Sequence, residues 1–86
     1  MTFSVVWRPS AESALTELWL NTVDRSAFTA AADSIDALLR SSPFDVGESR
    51  SGITRILNVL PLSVYYDVFS DDRLVAIWAV WEVRKR

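Results

Sequence analysis

The sequence predicts an α+β domain of order β-α-α-β-β-β, with a helical hairpin packed on one face of a four-stranded, mostly antiparallel sheet. Two observations carry this prediction. Apolar residues recur every three or four positions between residues 11 and 39, then alternate from Ile53 onward. Half of the 86 residues are apolar and only two are glycine, which suits a single domain, 1–86, with one core.

FSVVW at 3–7 is β-branched and aromatic and reads as the first strand, closed by Arg8-Pro9. Ser10 is the expected N-cap of the first helix, with Glu12 favourably placed in its first turn. Ala11, Leu15, Leu18 and Trp19, with Ala14 alongside, share one helical stripe, and Asn21-Thr22 ends it. The second helix begins near Asp24 and buries Phe28, Ala31, Ile35, Leu38 and Leu39, while Arg25, Asp33, Asp36 and Arg40 face water. A short connection makes the pair an antiparallel hairpin, at 10–21 and 24–41. SSPFDVGESRSG, residues 41–52, holds both glycines and reads as a long loop. ITRILNVL, SVYYDVF and RLVAIWAVWEV then form a meander of three strands, with turns at Pro61-Leu62 and Ser70-Asp71-Asp72.

Composition excludes several functions. The chain has no cysteine and no histidine, which removes thiolate metal sites, disulfides and nucleophilic catalysis through a histidine base. No metal or cofactor is expected. No apolar run reaches the roughly 18–20 residues that span a bilayer, and MTFSVVWRPS does not have the form of a secretory signal, so a cytoplasmic protein with no membrane partner is expected. Net charge is −2, unlike a protein that coats nucleic acid by bulk attraction. The charge is uneven: residues 1–49 carry three cations against seven anions, and residues 50–86 six against four.

In the middle strand of the meander, Val64, Tyr66 and Val68 share one side and suit the core, leaving Ser63, Tyr65 and Asp67 on the other. Arg55 is expected to join that uncovered side, with Arg84 and Arg86 at its rim. The candidate binding surface is thus Arg50, Arg55, Tyr65, Arg84, Lys85 and Arg86. Cations that end an apolar strand also serve as solubilising gatekeepers, and Trp78 and Trp81 are expected in the core or an interface rather than as stacking platforms.

The pattern resembles the RelE/ParE superfamily, the toxins of bacterial type II toxin–antitoxin (plasmid-stabilisation-type) modules. The resemblance rests on VVWRPSAESAL, on Ser42-Pro43 through Gly47, on TRIL at 54–57, on VYYDV at 64–68, and on DDRLVAIWAVWEVRKR to the end. It implies a growth-inhibiting toxin and a cognate antitoxin partner. In the messenger-cleaving, RelE-like branch, cations on the strands stabilise charge as a ribose 2′-hydroxyl attacks the adjacent phosphate of ribosome-bound mRNA without a metal. Carried over, Arg55 and Arg84 take the catalytic roles, Arg86 is a second basic position, and Tyr66 is structural. Three departures point away from that branch. Ser63 stands where an arginine usually holds the scissile phosphate, the C-terminal tyrosine segment is missing after Arg86, and the chain is not basic. The resemblance is at least as good to the ParE-like branch, which inhibits a macromolecular target such as DNA gyrase by binding and needs no nuclease residues. A non-toxic interaction domain of the same fold is the remaining reading.

Overall fold

The computed structural model describes residues 2–83, in the order β1 (Ser4–Trp7), α1 (Pro9–Asn21), α2 (Arg25–Ser41), β2 (Glu48–Ser51), β3 (Thr54–Val59), β4 (Leu62–Phe69) and β5 (Leu74–Glu82). The sheet runs β1-β5-β4-β3-β2, with β1 parallel to β5 and every other pair antiparallel. The α+β class and the helical hairpin on one sheet face are as expected. The strand count is not. Residues 48–51, expected inside a loop, pair with β3 as a fifth strand. All four are exposed, and an edge strand wet on both faces needs no apolar alternation, so the sequence carried no signal for it.

Each helix end has a local cause. α1 starts at Pro9 rather than after a Ser10 cap: Arg8 is the N-cap and makes no side-chain bond there. Proline at the first helical position has its φ already set and lacks only an N–H that would have no partner anyway. The far end of α1 is finished from the next helix, where Arg25 donates to the carbonyls of Trp19 (3.2 Å) and Leu20 (3.3 Å). Its guanidinium lies 4.4 Å from the Trp19 ring centroid. Trp19 is therefore a half-open lid under Arg25 rather than a core residue. Asp24 caps α2 by accepting from the Ala27 N–H at 3.0 Å.

α2 buries Phe28, Ala31, Ile35 and Leu39 in one core with Val64, Tyr66 and Val68 of β4 and Val75 and Ile77 of β5. Leu15, Leu18 and Leu38, expected at full depth, are half-buried at the margin of this core. α1 lies over β5, while α2 lies over β3 and β4 and reaches β1.

A polar tie crosses the core. Tyr66 is wholly buried, and its hydroxyl donates to the Pro43 carbonyl at 2.8 Å. Arg55, its cross-strand partner, donates to the carbonyls of Phe44 (2.8 Å) and Gly47 (2.6 Å). The buried Nε of Arg55 has no partner among the described residues. Gly47 must be glycine because a Cβ there would press on the Tyr66 hydroxyl and lie 2.6 Å from the Ile56 carbonyl oxygen. Two side chains thus hold the 43–47 segment to the sheet by its backbone oxygens.

The tie generates two predictions. Gly47→Ala inserts a methyl where neither neighbour can retreat, and should cost about 2–3 kcal/mol in urea unfolding. Burial pushes the Tyr66 phenol above its ordinary value, with the adjacent Arg55 partly opposing the shift. The unfolded chain therefore loses this proton first as pH rises. The associated stability is complete below about pH 10 and is lost as pH rises through the folded-state value. Tyr66→Phe should lower stability at pH 7 by about 1–2 kcal/mol and flatten the alkaline limb of the stability profile. An unchanged alkaline limb would show that Tyr66 does not set it.

Candidate functional site: the open face of the sheet

The helices cover one face of the sheet, and the strand register fixes what lies on the other. Ile56, Tyr65 and Ala79 are cross-strand neighbours on the open face, as are Thr54, Asp67, Ala76 and Val6. A third row holds Asn58, Ser63 and Trp81. The placement of Ser63, Tyr65 and Asp67 opposite Val64, Tyr66 and Val68 is as the sequence predicted. Ser63 is nonetheless buried, its hydroxyl donating to Asn58 Oδ1.

Arg55 is a correction. It pairs with Tyr66 and so lies on the helix-covered side, with its guanidinium spent on the 43–47 carbonyls. Arg50 lies on the exposed edge strand β2, 3.9 Å from Glu48, so an ion pair there is solvent-screened and weak. Arg84, Lys85 and Arg86 lie outside the described residues. Among the described residues of β3, β4 and β5 there is no cation other than Arg55, so the open face of these strands has none.

Aromatic rings occupy this face instead. Tyr65 and Trp78 stack with centroids 5.1 Å apart and planes 9° from parallel, and Trp81 sits 5.0 Å from Tyr65 at 49°. The two tryptophans, three residues apart, share a face because β5 carries one extra residue. Ala79 pairs with Tyr65 and Ile77 with Tyr66, which leaves Trp78 as a bulge. The sequence reading placed these tryptophans in a core or interface and missed the platform. LVAIWAVW is apolar at every position, so no break in alternation marks the extra residue.

Asp67 completes the cluster. Its Oδ1 accepts from the Thr54 hydroxyl at 2.6 Å and from the Trp78 indole N–H at 3.1 Å. No side chain among the described residues donates to Oδ2, which stays accessible to solvent. The face can therefore stack planar or cationic groups and accept hydrogen bonds. Among its described residues, β3–β5 bring no cation to this face to stabilise a developing phosphate charge. On the helical side, a shallow groove between α1 and α2 is lined by Leu15, Trp19, Phe28 and Ala32 with two threonines, and a wider one below the hairpin turn, lined by Thr22, Val23, Leu60 and Pro61, carries the carboxylates of Asp24 and Glu82.

No protein-family model matches the sequence, and no curated protein matches it. Solved structures do. A chain of the RelBE2 toxin–antitoxin complex from Mycobacterium tuberculosis superposes with a TM-score of 0.79 at 15% identity, over 95% of this chain and 92% of that one. The isolated RelE toxin of E. coli gives 0.70 at 9% identity, over 98% and 87%. A chain of the chromosomal ParDE toxin–antitoxin system from P. aeruginosa gives 0.68 at 16% identity, over 95% and 97%. Nearly the whole length takes part in each match, and RelE and ParE proteins both occur among them. The chain has the fold of the RelE and ParE toxins.

Proposed function

We propose that this chain is the toxin of a type II toxin–antitoxin pair, acts in the cytoplasm, and is neutralised by a cognate antitoxin. Its mode is ParE-like: it grips a macromolecular target such as DNA gyrase and performs no chemistry of its own. Similarity to chains solved in toxin–antitoxin complexes supports the toxin and its antitoxin partner. The observation that carries the choice of mode is the open face. Metal-free RNA cleavage needs cations aimed at the phosphate, and here β3–β5 present Tyr65, Trp78, Trp81 and Asp67 instead. A carboxylate on that face would repel the substrate backbone. The RelE-like alternative draws support from the higher TM-score of the RelBE2 chain, and it would have to work through Arg84 without Arg55.

Induced expression should arrest growth, and co-expression of the protein encoded beside it should restore growth. Transcripts from arrested cells should show no codon-positioned cuts on primer extension, while purified protein inhibits supercoiling by gyrase. Robust cuts that vanish in Arg84→Ala would instead establish the RelE-like nuclease. No arrest on induction would leave an interaction domain of the same fold.

A further inference from the structure

The open face has a specific chemistry that the toxin reading does not supply. We propose that Asp67, Trp78 and Tyr65 form a recognition site for an arginine side chain presented by a partner protein. The inference goes beyond the proposed function and does not depend on it.

Three observations converge. Trp78, a residue 38% exposed, lies on the open face with its ring stacked on Tyr65. Its indole N–H is bonded to Asp67 Oδ1 at 3.1 Å, so an aromatic face and a carboxylate lie side by side, at a fixed separation. Thr54 holds the same oxygen at 2.6 Å, which orients the carboxylate and leaves Oδ2 for an incoming donor.

The charge pattern selects a cation. Of the three ionised side chains on β3–β5, Arg55 and Glu82 belong to the helix-covered side, because their cross-strand partners are Tyr66 and Leu62. Asp67 alone carries charge on the open side of these strands, and the whole chain has a net charge of −2. A nucleic-acid base could stack here, but its phosphates would meet the Asp67 carboxylate, with no cation on the open side of the described residues of β3–β5 to offset it.

The geometry selects arginine among cations. A guanidinium is planar, so it can lie on the indole while an in-plane N–H reaches the adjacent carboxylate oxygen. An ammonium is a hydrated point charge and cannot satisfy both contacts as well. Tryptophan is the best of the aromatic rings for such a contact.

The test uses the full chain, 15N-labelled, with the Trp78 indole signal assigned through Trp78→Phe. N-acetyl-arginine amide, N-acetyl-lysine amide and N-acetyl-citrulline amide are titrated separately at constant ionic strength. A single-stranded oligonucleotide forms a fourth arm. The expected result is a saturable shift of the Trp78 indole with the arginine compound, and binding at least about tenfold weaker for citrulline, which keeps the shape and lacks the charge (about 1.4 kcal/mol). Asp67→Asn retains the Oδ1 acceptor and removes the charge, so it should weaken arginine binding about tenfold while the other indole signals stay in place. The proposal fails if the arginine compound produces no saturable shift, if citrulline or lysine binds equally well, or if Asp67→Asn binds unchanged. It also fails if the oligonucleotide is the tighter ligand at Trp78.

Discussion

The structure turns on the buried hydroxyl of Tyr66. An unpaired phenol at that depth would cost a few kcal/mol, so it must find an acceptor, and it finds one in the Pro43 carbonyl. That bond fixes where the chain goes after α2. Arg55 joins from the next strand and takes the carbonyls of Phe44 and Gly47, so a segment with no ladder of its own still has the oxygens of Pro43, Phe44 and Gly47 satisfied. Gly47 is needed because the segment passes so close to Tyr66 and Ile56. β2 follows directly and pairs with β3.

This constraint also decides the functional face. Once Arg55 is committed to the helix side, the open face of β3–β5 loses the cation that strand chemistry would need. The bulge at Trp78 then fills the vacated role with rings. Without the extra residue, Trp78 and Trp81 would point to opposite sides and Tyr65 would have one neighbour instead of two. The fold leaves the chemistry of this face to its side chains, and here the side taken by one arginine and one inserted residue make it aromatic rather than cationic over β3–β5.

Much of this was legible in the residues. The stripe of Phe28, Ala31 and Ile35 marked α2, and the alternation through VYYDV separated the Val64, Tyr66 and Val68 side from that of Ser63, Tyr65 and Asp67. The side taken by Arg55 was misread although the signal was present. A two-residue turn between β3 and β4 pairs odd positions of one with even positions of the other, which sends Arg55 to Tyr66. Ile56 obscured this, because it is apolar yet faces the open side, where it lies beside Tyr65. β2 was hidden because ESRS has no hydrophobic period, and the bulge because one extra residue leaves no mark on an apolar run. The half-depth of Leu15 and Leu18 follows from α1 lying chiefly over β5, near one edge of the sheet.

The central claim is that Arg55 works inside the fold, together with Tyr66, and is not a free cation. A double-mutant cycle of Arg55→Met and Tyr66→Phe, read by urea unfolding, tests it most directly. Because both side chains secure the same 43–47 segment, the account predicts non-additivity of about 1 kcal/mol or more. Additivity within about 0.3 kcal/mol, with Arg55→Met costing little by itself, would contradict it and return Arg55 to the pool of residues free to bind a ligand.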